Sequence, residues 1–373
     1  MTDKRHLITL LFLPVLLLMS SCFRSAHSAG NVLDQQDSVI TYAKLLSMQR
    51  TPQYTVVTVA DPWKGGVLHQ YVLVPRDSTL PDNLPEGTVV RTPVKNALVY
   101  SSVHTSLMRE LGAIDAVKGV VDSQYFIDKD ITDGVAAGTI ADCGNSMNPT
   151  VEKVIEMQPD AILLSPYQDA SYGQIAKLDI PIIECADYLE YDPLGRAEWM
   201  KFYGELVGKR EEADSLYNDV VKDYLEIKAL AATSEDRPTV VTEMVINGIW
   251  NVPGGKSYMA RIIQDAGGTY LWAVDENTGS LALDFNQVLA VAQNADYWFI
   301  KWTNINSLKD LQGAYDLNKE MAAFKNKRVY VCDTDKTRFF DRIPFHPEVL
   351  LREYANILHH LFDDENQMYK HID

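Results

Sequence analysis

The chain has 373 residues, a formal net charge of −17 at pH 7 and 46% hydrophobic residues. This length is sufficient for two lobes with a large buried core. The acidic balance argues against nucleic acid as a partner, because nucleic-acid binding needs clustered lysine and arginine side chains. The four cysteines show no paired spacing, so they predict neither a disulfide framework nor a zinc site.

The N-terminus has the layout of an export signal. Lys4 and Arg5 precede a nearly unbroken apolar run over residues 7–19, which is too short to span a bilayer comfortably. The run leads through Leu-Met-Ser-Ser to Cys22, which resembles a lipobox, where a cysteine after small residues receives the lipid. We therefore expect a signal peptide over residues 1–21 and lipid attachment at Cys22. An ordinary secretory signal with an incidental Cys22 is the alternative.

A β-rich extension follows the lipid attachment site. Residues 54–59 and 67–74 are β-rich runs separated by the turn-like sequence DPWKGG, which predicts a β-hairpin. Residues 75–93 are rich in proline, aspartate and glycine and are predicted to be a loop. Tether and hairpin together form an N-terminal extension over residues 22–95.

From residue 96 onward, strands alternate with helices, which predicts parallel sheets covered by helices. Residues 96–195 form the first lobe, with strands predicted at 96–100, 117–121, 161–164 and 180–184 and helices at 105–111 and 148–157. Residues 196–232 form a helical bridge, in which Gly208 separates two helices. Residues 233–373 repeat the pattern, with strands predicted at 239–245, 297–301 and 328–332 and helices at 258–265, 285–293 and 350–362. The sequence thus predicts two similar lobes joined by a long helix.

Four segments in the right order resemble a known family. They are NPTVEKVIEMQPDAILL at 148–164, LVGKREEADSL at 206–216, SYMARIIQDAGG at 257–268 and QVLAVAQNADYWFI at 287–300. Over about residues 96–363 the chain resembles the periplasmic-binding domain of iron–siderophore and cobalamin binding proteins of ABC transporters. The resemblance implies an α/β fold with two Rossmann-like lobes joined by a long rigid helix (a class III periplasmic binding protein), here with a β-hairpin extension.

The same resemblance implies a function without catalysis. The protein would capture an iron chelate (a siderophore or haem) or a corrinoid between its lobes and deliver it to an ABC permease. Ligand binding alone would favour the closed form over the open one. With the anchor at Cys22, the expected location is the cell envelope, on a lipid bilayer facing the periplasm or the cell exterior.

Ligands of open parallel sheets bind beyond the carboxyl ends of the strands, and the loops predicted there are rich in aromatic residues. The candidates for ligand contact are His104, Tyr125, Tyr167, Trp250, Tyr258, Trp302, Arg338, Phe340 and Arg342. The aromatic residues favour a large, flat, partly apolar ligand, and the two arginines suit its carboxylates or an anionic chelate. For any one of these residues, edge packing or a solvated position is the alternative.

Two histidines, His104 and His346, are candidates for contact with a ligand or a metal centre. His104 follows the first strand of the first lobe, where an axial metal ligand, a hydrogen-bond donor and a packing residue are all possible. If a metal centre took a second imidazole ligand beside His104, His346 is the only plausible candidate for it. A bare-metal site needs three or four converging ligands, and none can be assembled from the sequence. We therefore predict no resident metal, no cofactor and no catalytic residue.

Binding proteins of the family usually have one glutamate on each lobe that docks onto arginines of the permease. Those positions correspond to Ser106 and Asn286, and both lack the charge. Glu110 lies one helical turn from Ser106. A surface lipoprotein that scavenges without a conventional permease therefore stays an alternative. An enzyme on the same scaffold, such as a chelatase, is another, although the chain has no GxSxG, Walker or HExxH motif.

Overall fold

The computed structural model describes residues 39–363, 366 and 368–373, which belong to one structural unit, Asp37–Asp373. The predicted signal peptide, Cys22 and most of the predicted tether region lie outside the described residues. No helix within the described part of the chain is long and apolar enough to cross a membrane.

The described part of the N-terminal extension contains a four-stranded sheet. Its strands are β1 (Leu46–Arg50), β2 (Thr55–Ala60), β3 (Val67–Pro75) and β4 (Thr88–Thr92), in that spatial order. Strands β2 and β3 form the predicted antiparallel hairpin. The prediction of a continuous loop over 75–93 is wrong, because β4 pairs in parallel with β3. Its sequence Thr-Val-Val-Arg-Thr is rich in β-branched residues, which favour a strand despite the prolines and glycines before it.

The first lobe contains a five-stranded parallel sheet. Its elements in chain order are β5 (Ala97–Val99), α1 (Ser102–Glu110), β6 (Val117–Val120), α2 (Lys129–Ala137), β7 (Ala141–Asp142), β8 (Gly144–Asn145), β9 (Asn148–Pro149), α3 (Val151–Met157), β10 (Ala161–Leu164) and β11 (Ile182–Glu184). The strand order is β11-β10-β5-β6-β7, while β8 and β9 form a separate small ribbon. All residues of β5 and β10 are buried, as expected for parallel strands covered on both faces.

The predicted helical bridge begins within α4 (Pro193–Glu198) and continues through α5 (Met200–Val207) and α6 (Arg210–Ala232). Gly208 ends α5 in the left-handed conformation, with φ +71°, so the predicted break between two helices is confirmed. Helix α6 has 23 residues, which corresponds to a length of about 34 Å. It buries Ala213, Tyr217, Val220, Tyr224, Ile227 and Ala231, which share one face at intervals of three and four residues.

The second lobe repeats the plan of the first. Its elements are β12 (Thr239–Thr242), β13 (Val245–Ile246), β14 (Ile249–Pro253), α7 (Tyr258–Asp265), β15 (Thr269–Tyr270), β16 (Ser280–Leu283), α8 (Phe285–Ala292), β17 (Tyr297–Lys301), α9 (Leu308–Ala314), α10 (Ala322–Lys325), β18 (Val329–Cys332), α11 (Thr334–Thr337), α12 (Phe339–Arg342), α13 (Pro347–His359) and β19 (Tyr369–Ile372). The main sheet has the order β15-β12-β17-β18-β19, and only β19 runs antiparallel to its neighbour. Strands β13, β14 and β16 form a small antiparallel sheet.

The described part of the chain also contains five short 3-10 helices, at Ile114–Ala116, Ser123–Tyr125, Ile175–Lys177, Ala186–Leu189 and Asp316–Glu320. Two of them, Ser123–Tyr125 and Ala186–Leu189, come after strands β6 and β11 of the first lobe. They place side chains at the carboxyl edge of that sheet, where the ligand was expected from the sequence.

Candidate ligand-binding site

The carboxyl edges of the two main sheets meet. The hydroxyl of Ser102, just after β5 in the first lobe, donates to Asp341 Oδ1 in the second lobe at 2.6 Å. Arg338, on the segment that follows β18, reaches Asp128 of the first lobe with 3.4 Å between Nη2 and Oδ2. These contacts show that strand-following loops of both lobes face each other, which is the arrangement of an interlobe cleft.

Exposed aromatic side chains are concentrated on these loops. In the described part of the chain, six large aromatic residues are exposed, namely Tyr125, Tyr167, Tyr188, Tyr191, Trp302 and Phe340. We call this set the aromatic rim. Each of its members follows the carboxyl end of a strand: β6, β10, β11, β17 or β18. Aromatic surface left in water is a favourable contact area for a ligand, since burying it is worth about 25 cal/mol per Å².

Four of the residues predicted from the sequence are therefore available to a ligand. Tyr125 is 73% exposed, Tyr167 46%, Trp302 41% and Phe340 57%. Tyr258 is half-buried, and the guanidinium of Arg196 lies over its ring at 4.8 Å. Its ring therefore has one face occupied by a residue of the helical bridge.

His104 and Trp250 lie in the interior instead. His104 is 1% exposed, its Nε2 is 3.2 Å from Asp187 Oδ1, and its ring stacks on Tyr203. Trp250 is fully buried, and its indole N–H donates to the carbonyl of Thr242 at 2.8 Å. The structure brings neither side chain to the surface of the cleft.

The reason for these two placements is local geometry. His104 lies in the first turn of α1, where the sequence position does not determine which way the side chain points. Trp250 lies between the strand predicted at 239–245 and the helix predicted at 258–265, where the sequence indicates a strand-following loop. This segment instead includes β14, whose side chains alternate between faces. Ile249 and Asn251 point outward and Trp250 points inward, where it stacks on Trp298 with 5.3 Å between ring centroids.

Asp187 is the centre of a buried polar cluster at the bridge. It is 1% exposed and contacts His104, the hydroxyl of Tyr203 at 3.2 Å and the guanidinium of Arg196 at 3.4 Å. Burial alone would raise the pKa of Asp187, but the contacts with His104, Arg196 and Tyr203 outweigh it and lower the pKa. The cluster therefore holds a charged carboxylate where the first lobe meets the bridge.

Glu243 and Lys301 form a second internal ion pair, at the carboxyl ends of β12 and β17. Burial would lower the pKa of Lys301, but the carboxylate of Glu243 outweighs this effect and raises it. The ammonium also lies 5.4 Å from the ring centroid of Phe339. Lys301 is thus committed to internal partners. Arg338 and Arg342 are exposed and can reach an anionic ligand, although Arg338 also pairs with Asp128 and Asp341.

A cavity of about 320 Å³ opens at the carboxyl ends of β5 and β10. Its wall includes Tyr100, Ser165, Tyr167, Ser171, Tyr172 and Met147. The rings of Tyr167 and Tyr172 meet edge to face, with 6.2 Å between centroids. Of these wall residues, Tyr167 was among the ligand contacts selected from the sequence, whereas Tyr100 and Met147 carry no sequence signal beyond their place near strand ends.

A second cavity, of about 430 Å³, lies between α1 and the segment after β18. Its wall includes Ser106, Glu110, Arg338, Arg342 and His346. Ser106 is half-buried in this wall, whereas Asn286 is exposed near the start of α8. The two predicted docking positions therefore have different environments, and only Asn286 lies on an open surface.

His346 joins the two lobes and predicts a pH dependence of stability. Its Nε2 is 2.9 Å from Glu110 and its Nδ1 is 2.9 Å from Glu348. Burial would lower the pKa of His346, but the hydrogen bonds to Glu110 and Glu348 raise it to about 9. This folded-state pKa exceeds the ordinary value of about 6.5, so the charged His346 stabilises the folded protein. This stabilisation is complete below about pH 6.5 and is lost as the pH rises through about 9.

We expect His346→Gln to destabilise the protein by about 2–3 kcal/mol at pH 6 and by much less at pH 10. Urea unfolding of the wild-type protein and the variant at the two pH values measures this difference. Other groups that titrate in the same range contribute equally to both proteins, so their contributions cancel. An equal loss of stability at both pH values would contradict a charged His346.

Among the described residues, no three His, Cys, Asp or Glu side chains converge to form a place for a metal ion. Cys143, Cys185 and Cys332 are free thiols and are buried. Burial chiefly raises the pKa of Cys143 and of Cys332 to about 11, so both stay protonated at neutral pH.

The chain is similar to other proteins in sequence. An uncharacterized lipoprotein of Methanocaldococcus jannaschii is 28% identical over 322 residues, which cover 80% of this chain and 76% of that protein. An iron-uptake system-binding protein of Bacillus subtilis is 26% identical over 218 residues, covering 56% of this chain and 64% of that protein.

The fold is also shared with solved structures. A possible iron-binding (periplasmic solute-binding) protein from Staphylococcus epidermidis superimposes with a TM-score of 0.56 at 16% identity, covering 72% of this chain and 100% of that one. The model of the periplasmic binding protein family matches residues 99–336. The match spans more than half of the chain, which therefore belongs to the periplasmic binding protein family.

Proposed function

We propose that this protein binds an iron chelate (a siderophore or haem) or a corrinoid between its lobes and delivers it to an ABC permease. The observation that supports this most directly is the aromatic rim, which comes from loops of both lobes. A large, flat, partly apolar ligand gains contact with such side chains on two faces. Arg338 and Arg342, both exposed beside Phe340, suit the anionic groups of such a ligand.

The relatives support the ligand class. One is named as an iron-uptake system-binding protein and another as a possible iron-binding protein. The similarity to a protein named as a lipoprotein supports attachment through Cys22. We therefore propose a lipid-anchored location on the cell envelope, facing the periplasm or the cell exterior.

Mass spectrometry of the protein purified from its native membranes tests the ligand class. The expected result is an iron chelate, a porphyrin or a corrinoid released on denaturation, together with a diacylated Cys22. A bound sugar or amino acid would contradict the ligand class, and an unmodified Cys22 would contradict the anchor.

The permease contact is a separate proposal, in which the open surface at Asn286 faces the membrane partner. We expect Asn286→Glu to leave ligand affinity unchanged and uptake unchanged or higher. A carboxylate near the start of α8 is compatible with the helix dipole, so folding is preserved. Uptake of labelled ligand in cells measures the effect.

Ser106→Glu is the comparison variant, because the new carboxylate would lie beside Arg338 and Arg342 in the cavity rather than on an open surface. A loss of uptake in Asn286→Glu, with ligand binding intact, would contradict docking onto permease arginines. It would favour a partner that contacts this surface through groups other than arginines.

A further inference from the structure

The cavity at the ends of β5 and β10 has a polar but uncharged wall. None of its lining residues is Asp, Glu, Lys, Arg or His, and serine and tyrosine hydroxyls supply most of its polar groups. The hydroxyl of Tyr100 is buried without a hydrogen-bond partner. Burial chiefly raises the pKa of Tyr100 above its ordinary value, so the phenol is a donor at neutral pH. An ionised group would lose its hydration here without a charged side chain in the wall to pair with, so the wall favours an uncharged group.

Tyr172 is held in place from behind the cavity wall. Its hydroxyl donates to Glu184 Oε1 at 2.7 Å, and its backbone has the left-handed φ of +50°. Glu184 ends β11 and is 8% exposed. Because the phenol proton is directed to Glu184, the oxygen of Tyr172 remains an acceptor for another donor. The cavity wall thus has a donor at Tyr100 and an acceptor at Tyr172.

The N-terminal extension supplies the groups that hold Glu184. His69 Nδ1 lies 3.2 Å from Glu184 Oε2, and His69 Nε2 lies 2.8 Å from Thr88 Oγ1 of β4. The hydroxyl of Tyr71 accepts from the Glu184 N–H at 2.8 Å and donates to the Ile182 carbonyl at 3.0 Å. The rings of His69 and Tyr71 stack with 4.4 Å between centroids. Strand β3 is therefore fixed to the end of β11 that carries Glu184.

We propose that this cavity is a subsite for an uncharged, amide- or hydroxyl-bearing arm of the ligand, whose shape the extension sets through His69 and Tyr71. This inference rests on the proposed function. The family match begins at residue 99, so the extension is an addition to the matched scaffold. His69 and Tyr71 are positioning residues, because they act on the ligand through Glu184 and Tyr172.

Binding titrations test the subsite with three probes: ferrichrome and cyanocobalamin, which carry amides, and haem, which carries two propionates. Ferrichrome or cyanocobalamin is expected to bind the wild-type protein. Tyr172→Phe and His69→Ala should each raise the dissociation constant of that probe about 5- to 10-fold. The double variant should bind that probe no more weakly than the single variant with the lower affinity, because both changes affect the same wall.

Two further variants separate positioning from folding. Tyr71→Phe keeps the ring and removes only the hydroxyl. It should also lower the affinity for the amide-bearing probe. Thr58→Val, in β2 of the same sheet, should leave the dissociation constant unchanged. Binding of haem alone, or fully additive effects of His69→Ala and Tyr172→Phe, would overturn the subsite proposal and leave the proposed function standing.

A spectroscopic measurement tests the positioning role without any ligand. With 3-fluorotyrosine incorporated, the ¹⁹F resonance that disappears in Tyr172→Phe belongs to Tyr172. This resonance should shift in His69→Ala and in Tyr71→Phe and stay in place in Thr58→Val. If no probe binds the wild-type protein, the proposed function fails, and an unshifted resonance in His69→Ala independently overturns the positioning role.

Discussion

Replacing Glu198 with alanine is expected to lower the free energy of unfolding by about 3–5 kcal/mol. Glu198 is fully buried in α4, and its carboxylate accepts the backbone N–H groups of Thr41, Tyr42 and Ala43 at 2.7–3.0 Å. Lys201 donates to the same carboxylate at 2.9 Å. The alanine variant leaves three backbone donors without their acceptor, and Lys201 keeps only the carbonyl of Val39 as an acceptor. Each lost hydrogen bond is costly in the interior.

Urea denaturation measures this effect, with two variants for comparison. Glu198→Gln keeps one acceptor oxygen and should lie between the wild-type protein and Glu198→Ala. Glu212→Ala removes an exposed carboxylate that pairs with Lys209 and should change stability by less than about 0.5 kcal/mol. A loss below about 1 kcal/mol in Glu198→Ala would show that this carboxylate is not essential for holding the segment at residues 41–43.

Removing rim aromatics is expected to weaken ligand binding and leave folding intact. Trp302→Ala and Phe340→Ala should each raise the dissociation constant about 10- to 100-fold, since aromatic contacts of this kind are worth about 1–3 kcal/mol. Both side chains are substantially exposed, so their loss creates no internal cavity. Fluorescence titration and urea unfolding of the same preparations measure the two effects.

Ile155→Ala is the matched control, because Ile155 is an exposed apolar residue of α3 and lies on no strand-following loop. It should change neither affinity nor stability appreciably. Unchanged affinity in both Trp302→Ala and Phe340→Ala would place the ligand away from the aromatic rim. A large loss of stability in either variant would show that the side chain packs in the folded protein.

The α/β architecture was predictable because its signals are local and repeated. Alternating strands and helices, and the glycine at position 208, are sufficient to indicate two lobes and a divided helical bridge. The β2–β3 hairpin was predictable from its β-branched runs and its turn. Strand β4 was missed because proline and glycine before it suggested a loop, whereas its pairing with β3 depends on a distant strand.

The site was predictable only in part, because side-chain direction is a tertiary property. The rule for strand-following loops correctly selects positions such as Trp302 and Phe340, which are exposed. It cannot show that Trp250 faces the interior from a strand or that His104 turns toward Asp187. Nor does it reveal Glu184, whose role depends on His69, a residue separated from it by most of the first lobe.

The most direct test of the central claim is a titration of residues 23–373 with haem, cyanocobalamin and ferric siderophores, followed by tryptophan fluorescence. Trp302 is the tryptophan of the aromatic rim and is 41% exposed, so it can report on the ligand. At least one of these compounds is predicted to bind with a dissociation constant well below about 1 μM, equivalent to more than about 8 kcal/mol. If none binds more tightly than about 1 μM, the protein is not a receptor for this class of ligand.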